Sequence, residues 1–201
     1  MKKGFFLCCA ALLLTLCACA GGQKNEDPAL YIEKAQLTAQ EEAIAELLGA
    51  DIRGHQIYDF TLDDTVQRLQ TNIYQLEDGE WVRTSGGDQA FSDTQGRIAL
   101  QFERIADGVR IALQSEHSGG STSYQSEPEE PLPGSYATSL LSDRTAIVYE
   151  KEIPLVIQVV TDKNEVVSYQ PDCFFQPEEY EKLGYEGVYA ITVRFSQVPL
   201  S

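Results

Sequence analysis

Apolar and polar residues alternate with a period of two along much of this chain, from about residue 57 to residue 195. In the clearest run, large apolar residues recur at every second position: Tyr189, Ile191, Val193 and Phe195. Successive side chains of a β-strand point to opposite faces, so this run predicts a half-buried strand, with one face on a core. We therefore predict a mainly β fold with about eight to ten short strands.

An Asp-Gly pair at residues 107–108 favours a tight turn between two alternating runs. A two-residue turn there pairs Phe102 with Leu113 and Arg104 with Ile111. In that register the large apolar residues of both runs share one face, so the turn and the pattern agree on a hairpin over 97–115.

A second Asp-Gly pair, at residues 78–79, predicts a turn between a strand that ends near Leu76 and a return strand that starts at Trp81. Glu77 and Glu80 would face each other across a two-residue loop. Because like charges directly opposite are unfavourable, we expect this turn to be one residue longer.

Short strands joined by hairpins, with little helix, predict an antiparallel two-sheet sandwich. One short helix precedes them at 39–48, because Thr38 and Glu41 match a capping box and Ile44, Leu47 and Leu48 follow at helical spacing. We expect that apolar stripe to face the core. Two alternatives remain: a partly open barrel, and two small β units divided at 117–135.

Four further segments complete the pattern. A near-continuous apolar run at 155–160 predicts a strand covered on both faces. Residues 162–165 predict a turn that leads into a partner strand at 166–169. One or two helical turns are expected at 176–184, with an early Pro and a closing Gly. Residues 117–135 are rich in Gly, Ser, Glu and Pro and predict a long exposed loop.

The N-terminus has the order of a secretory signal. Lys2 and Lys3 precede an apolar stretch from Gly4 to Leu16, which is shorter than the roughly 20 residues of a membrane-spanning helix. The next residues, Leu16-Cys17-Ala18-Cys19, resemble the lipobox of bacterial lipoproteins. This resemblance covers about the first two dozen residues and says nothing about the fold that follows.

The lipobox resemblance implies a processing route and a location. Residues 1–18 would be removed as a signal peptide, and Cys19 would receive a diacylglycerol and become the first residue of the mature protein. Residues 19–36 then form a flexible tether, and 37–201 form an extracytoplasmic β-rich domain. The implied location is the outer face of a cell membrane, and the implied partner is the lipid bilayer.

The charge balance excludes one class of partner. The chain has 31 acidic and 15 basic residues, for a net charge of −16. Nucleic acids and anionic lipid surfaces are bound through basic patches, so we expect no nucleic-acid partner and a membrane attachment that depends on lipid.

Residues that support catalysis or metal binding are sparse. His55 and His117 are the two histidines, and neither stands beside a Gly-x-Ser-x-Gly elbow. Carboxylates cluster at 59–64 and 162–165 without the spacing of a calcium loop. Cys173, in an apolar setting, is interpreted as a small core residue. We therefore predict no catalytic residues, no metal site and no cofactor besides the lipid on Cys19.

Aromatic residues at expected turns and loops supply the binding hypothesis. Trp81, Tyr124 and Tyr136 are candidate contacts for a protein or glycan of the envelope, and the loops 85–95 and 117–136 are the expected contact surface. The sequence thus predicts a non-enzymatic binding or accessory lipoprotein. Capture of a solute or carbohydrate is the alternative, and an envelope hydrolase that uses His117 or clustered acids is a third hypothesis.

Overall fold

The computed structural model describes residues 28–47, 55–125, 135–167 and 169–200. Within these ranges the chain is mainly β, as predicted, with eleven strands and two short α-helices. The strands are β1 (Tyr31–Lys34), β2 (His55–Thr61), β3 (Arg68–Glu77), β4 (Glu80–Ala90), β5 (Gln95–Gln101), β6 (Gly108–Ser115), β7 (Gly119–Gln125), β8 (Ser135–Leu140), β9 (Thr145–Ala146), β10 (Glu152–Thr161) and β11 (Gly187–Ser196). The helices are α1 (Ala39–Leu47) and α2 (Glu178–Glu181), and 3₁₀ turns cover Ile105–Asp107 and Pro171–Phe175.

The strands form two antiparallel sheets that pack face to face, which confirms the sandwich. Sheet A has the order β7-β6-β5-β2-β1-β9, and sheet B has the order β4-β3-β11-β10-β8. Neither sheet closes into a barrel. Sheet A contains β9 beside strands from the first half of the chain, and sheet B contains β3 and β4 beside β8, β10 and β11. Residues 117–135 therefore do not divide the described chain into two separate β units.

The main core lies between the two sheets. Phe60 of β2 is at its centre, with ring centroids 5.6 Å from Phe91 and 5.0 Å from Phe195. Tyr58 is fully buried and donates its hydroxyl hydrogen to the Leu155 carbonyl at 3.2 Å, which links sheet A to sheet B. Burial raises the pKa of that phenol.

A third layer covers part of the outer face of sheet B. The 3₁₀ turn and α2 bring Phe174 and Tyr180 onto Ile157, Val159 and Val188, and together they form a second apolar cluster. This layer explains why β10 is buried on both faces, as the apolar run at 155–160 predicted. It also makes β11 almost wholly buried, so the expectation of a half-buried strand at 189–195 was wrong.

The β5–β6 hairpin differs from its predicted register. Ile98 pairs with Leu113 and Leu100 with Ile111, and β5 ends at Gln101, so Phe102 and Arg104 lie in the connection. The connection is longer because Ile105 and Ala106 turn into the core as a 3₁₀ turn before Gly108, which has a φ of 139°. The slip is four residues, an even number, so each side chain stays on its predicted face.

The other Asp-Gly turn was predicted too long. Glu77 pairs directly with Glu80, so Asp78 and Gly79 form a two-residue loop, with φ angles of 49° and 79°. Two consecutive positive φ angles are those of a type I′ turn, whose twist matches that of the flanking strands. The preference of Asp-Gly for this turn outweighs the repulsion between two glutamates near solvent.

The helix at the N-terminal side begins at Ala39, as predicted, but its apolar residues do not face the core. Thr38 and Glu41 form the capping box, with Thr38 N–H to Glu41 Oε2 at 2.8 Å and Glu41 N–H to Thr38 Oγ1 at 3.3 Å. Ile44 and Leu47 are 51% and 85% exposed, so the stripe does not lie on the core. Leu48 lies outside the described residues.

Four segments assigned to loops, tether or strand also differ. Tyr31–Lys34 forms β1 inside the range expected to be tether, and Gly119–Gln125 forms β7 inside the expected loop. The expected contact loop 85–95 belongs to β4 as far as Ala90. Val166 and Val167 are partly exposed and lie outside any strand, so the predicted partner strand is not present at these two residues. The helical turns predicted at 176–184 are present as α2, and Gly184 ends them with a φ of 56°.

Residues 1–18, which are predicted to be a signal peptide, and Cys19 lie outside the described residues. In the part of the chain that the structure describes, no helix is long and apolar enough to cross a membrane.

Candidate functional site

A slot opens along one side of the sandwich, where β4 and β7 are the facing edges of the two sheets. Within the described ranges, each of these strands is paired on one side only, β4 with β3 and β7 with β6. Two cavities lie between them, of about 250 Å³ and about 110 Å³. We call this region the β4–β7 slot.

Tyr124 stands between the two cavities and lines both. Its hydroxyl oxygen approaches β4 so closely that a Cβ atom built at Gly87 would lie 2.5 Å from it. A side chain at residue 87 would collide with the Tyr124 hydroxyl, so glycine at this position allows the ring to reach β4 from the opposite sheet. Of the three aromatic residues that the sequence suggested for binding, Tyr124 alone borders the slot.

The larger cavity has an apolar floor and a polar rim. Side chains of the main core form its floor: Leu69, Ile98, Ile111 and Leu113. Ser121, Thr122 and Asp88 contribute to its rim. The Asp88 carboxylate contacts Arg68 Nε at 2.7 Å and accepts a hydrogen bond from Gln70 Nε2 at 2.9 Å, so its charge is largely compensated within sheet B.

Trp81 contacts the third layer and not the slot. Its ring stacks on Phe174 with centroids 5.0 Å apart, and its Nε1–H donates to the Phe174 carbonyl at 2.8 Å. These contacts account for the aromatic ring and its polar atom without a ligand.

Tyr136 lies on β8, opposite buried Val160, and is 41% exposed. β4 and β8 are the two outer strands of sheet B, so Trp81 and Tyr136 are separated by four strand spacings, about 19 Å. The structure therefore does not gather the three aromatic residues into one site.

The outer face of sheet A carries a polar hollow of about 680 Å³. Arg97 lies within it and binds two carboxylates, with Nε 2.6 Å from Asp59 Oδ1 and Nη1 2.8 Å from Glu41 Oε1. Hydrogen bonds from the Thr38 backbone and from Arg97 lower the pKa of Glu41 to about 2. The strongest charges of the hollow are therefore satisfied by one another.

His117 stands at the rim of this face and is held by Asp93. The Nδ1 atom of His117 lies 2.7 Å from Asp93 Oδ1, and its backbone N–H donates to Asp93 Oδ2 at 2.9 Å. Ser115 Oγ donates to the same carboxylate at 2.5 Å. These hydrogen bonds lower the pKa of Asp93 to about 2, so Asp93 is ionised and Nδ1 carries a proton.

The imidazole of His117 is 71% exposed, and its Nε2 atom lies 3.9 Å from Glu116 Oε1. The hydrogen bond to Asp93 and the charges of Asp93 and Glu116 raise the pKa of His117. This pair was not predictable from the sequence, because Asp93 and His117 are 24 residues apart and meet only when β6 folds back on β5.

The remaining candidate residues are accounted for by local contacts. Cys173 is partly buried beside the second cluster, and burial raises its thiol pKa. Asp63 accepts hydrogen bonds from the Thr65 backbone and from the Tyr149 hydroxyl. Among the described residues, no group of three or more His, Cys, Asp and Glu side chains is placed to hold a metal ion. His55 begins β2.

Comparison with known proteins adds no family. A scan against protein-family models found no match, and searches of curated proteins and of solved structures found no significant match.

β7, one wall of the slot, is the element that sequence reasoning missed. Its sequence, Gly-Gly-Ser-Thr-Ser-Tyr-Gln, contains one large apolar residue, so it shows no alternating apolar pattern from which a strand could be predicted. The signal that it did carry is Tyr124, which shares the inward face of the strand with Gly120 and Thr122.

Proposed function

We propose that this chain is a lipid-anchored, extracytoplasmic lipoprotein of a bacterial envelope and that its sandwich is a non-enzymatic binding module. The anchor is supported by the lipobox-like Leu16-Cys17-Ala18-Cys19 that follows a charged and then apolar N-terminus. A lipid anchor suits an acidic chain of net charge −16, which an anionic bilayer would otherwise repel.

The observation that carries the binding role is the β4–β7 slot. At the facing edges of the two sheets, β4 and β7 leave a cavity of about 250 Å³ over core residues. Protein cores have few voids larger than a water molecule, so an open cavity with an apolar floor and a polar rim is typical of a binding surface.

The anchor is tested by Cys19→Ser in the native host, with Cys17→Ser as the matched control. We expect the unaltered protein and Cys17→Ser to sediment with membranes and to carry a diacylglycerol mass on Cys19. Cys19→Ser should lose that mass and keep its leader. An unmodified Cys19 thiol in a chain that retains residues 1–18 would contradict the proposal.

Binding of a small solute or sugar in the slot is the less well supported version of this binding role. Sugar sites use aromatic faces, and of the suggested aromatic residues only Tyr124 borders the slot. Trp81, the largest of them, is stacked on Phe174.

One observation favours a second candidate function, hydrolysis. Asp93 orients His117 as an acid orients the base of a hydrolytic site, and leaves Nε2 toward solvent. The raised pKa of His117 means that the neutral, basic form accumulates only at higher pH than for an ordinary histidine. Ester or glycoside cleavage by the purified protein that increases with pH and disappears in His117→Ala would support this function; activity equal in both proteins would remove His117 from it.

A further inference from the structure

We propose that the β4–β7 slot binds an extended segment of another protein, which adds to sheet A as a new strand beside β7. One apolar side chain of that segment enters the larger cavity of the slot. This inference rests on the proposed binding role of the slot and not on the lipid anchor.

The first support is the open edge of β7. Its seven residues pair with β6 in an unbroken register, and its other side has no strand partner among the described residues. An unpaired edge presents a row of backbone N–H and C=O groups, and proteins usually protect such edges with charges, prolines, bulges or short length. β7 has no charged residue and no proline.

Two of the other three sheet edges carry such protection. β9 has two residues. β4 has a bulge at Thr84, between the pairs Ile73–Ser85 and Tyr74–Arg83, and carries Arg83 and Asp88. β8 has neither a charged residue nor a proline, but at six residues it is shorter than β7. The longest unprotected edge is therefore the one that borders the slot.

The second support is the position of the cavity. Gly120, Thr122 and Tyr124 face it from β7, and Leu113 lies opposite Gly120 on β6. A strand added to β7 would continue this face, so every second side chain would point toward the slot. An apolar cavity of about 150 Å³ holds a benzene molecule, so about 250 Å³ accommodates one leucine or phenylalanine side chain. Backbone pairing with one pocket for a side chain is the usual arrangement of strand addition.

The third support is charge, which selects the occupant. A second copy of this chain would bring two bodies of net charge −16 together. The exposed carboxylate of Glu116 lies three residues before β7, near one end of the added strand. The fitting partner is therefore a strand with an apolar residue at its centre and basic residues at its ends.

The test uses a labelled nine-residue peptide with lysine at both ends and threonine alternating with valine around a central leucine. Fluorescence anisotropy with the full-length protein in detergent should show saturable binding. A peptide with glutamate in place of both lysines should bind at least about tenfold more weakly, a difference of about 1.4 kcal/mol. Hydrogen exchange should show new protection in the amides of β7.

Two adjacent glycines give a matched pair of variants. A Cβ built at Gly120 meets no atom within 4 Å, so there is space to begin a side chain on the cavity face, and we expect Gly120→Leu to occupy the cavity. Gly119 lies next to it on the opposite face, and its Cβ would meet only the Leu113 carbonyl at 3.9 Å. We expect Gly120→Leu to weaken peptide binding at least about tenfold and Gly119→Leu to leave it within about twofold, with unchanged circular dichroism in both.

Each other result overturns the inference. No saturable binding, or equal binding by both glycine variants, would show that the slot does not accept a strand. Equal binding of the lysine and glutamate peptides would remove the charge-based choice of partner. A dimer in sedimentation that Gly120→Leu dissociates would make a second copy the occupant. None of these experiments depends on Cys19. A negative binding result therefore does not contradict the lipid anchor, and an unmodified Cys19 does not contradict the strand-binding site.

Discussion

Gln158 is a fully buried polar side chain in the core of this sandwich. Its Oε1 accepts the Ile105 backbone N–H at 2.8 Å, and its Nε2 donates to the Glu103 carbonyl and to Thr138 Oγ1, both at 2.9 Å. The amide of one β10 residue thus holds the connection that leads from β5 to β6. These hydrogen bonds stabilise the fold because the backbone groups of Ile105 and Glu103 would otherwise be buried without partners.

Replacement of Gln158 by leucine keeps the volume and removes these bonds. We expect Gln158→Leu to lower the free energy of unfolding by about 2–5 kcal/mol, because the Ile105 N–H and the Glu103 carbonyl lose their partner. Urea denaturation measures it. Gln101→Leu, on an exposed position of β5, is the control and should change stability by less than about 0.5 kcal/mol.

The Asp93–His117 pair predicts a specific pH dependence. The pKa of His117 lies above its ordinary value of 6.5, so the stability that it contributes is fully present below pH 6.5 and is lost as pH rises through the raised pKa. The pKa of Asp93 is lowered from 3.8 to about 2, so its contribution is present above pH 3.8 and is lost as pH falls toward 2.

NMR titration of the His117 ring protons measures the first of these effects. Asp93→Asn removes the negative charge and should shift the His117 midpoint to lower pH, while Asp107→Asn, which removes the acid paired with Arg104, should not move it. A His117 midpoint that is the same with and without Asp93 would refute the pairing.

Single-residue features were predictable where their signal is local. The capping box needs Thr38 and Glu41 at a spacing of three, and both hydrogen bonds form as the pattern indicated. The contact between Trp81 and Phe174 was not predictable, since the two residues are 93 positions apart and no local pattern joins them.

The β3–β4 hairpin turns on two residues with positive φ. Gly79, at 79°, has the more demanding position, since a Cβ there would also lie 2.9 Å from Glu181 Oε2. We expect Gly79→Ala to cost about 1–2 kcal/mol of unfolding free energy. Thermal unfolding measures it, and Gly119→Ala, whose Cβ would meet only the Leu113 carbonyl at an ordinary contact distance of 3.9 Å, is the control.

The third layer depends on the stacked pair of Trp81 and Phe174. Trp81→Ala should cost about 2–4 kcal/mol, because it removes a half-buried ring and the donor to the Phe174 carbonyl. Tyr136→Ala, an exposed aromatic on the opposite edge of sheet B, should cost less than about 0.5 kcal/mol. Chemical denaturation compares them, and hydrogen exchange should show faster opening of 171–181 in Trp81→Ala only.

Elements were predictable to the extent that their apolar pattern is strong. The faces of β5 and β6 came out correctly while their register was wrong by four residues, since alternation determines the face and only the turn determines the pairing. The turn was misplaced because the burial of Ile105 and Ala106 depends on sheet B, which lies far along the sequence.

The charge of the whole molecule predicts its response to salt. A net charge of −16 in one small body opposes compaction, and salt screens that repulsion over a distance of about 10 Å at 0.1 M. We expect the melting temperature to rise by a few degrees between about 0.01 M and 0.2 M sodium chloride. A fall would mean that surface ion pairs, such as Arg144 with Glu33, outweigh the general repulsion.

The architecture was easier to predict than its surface. A two-sheet sandwich follows from many weak alternations that agree with one another. The slot could not be predicted in this way, because its position depends on which strands lie at the sheet edges. One of those edge strands, β7, has too few apolar residues to be recognised as a strand from its sequence.

β1 and β7 lie on opposite flanks of sheet A, with β6, β5 and β2 between them. Four strand spacings place them about 19 Å apart. β1 is the first strand of the described chain, so an attachment on the N-terminal side of β1 would hold the sandwich at the β1 side of sheet A. The lipid anchor proposed at Cys19 would then leave the opposite flank, with the β4–β7 slot, pointing away from the membrane surface.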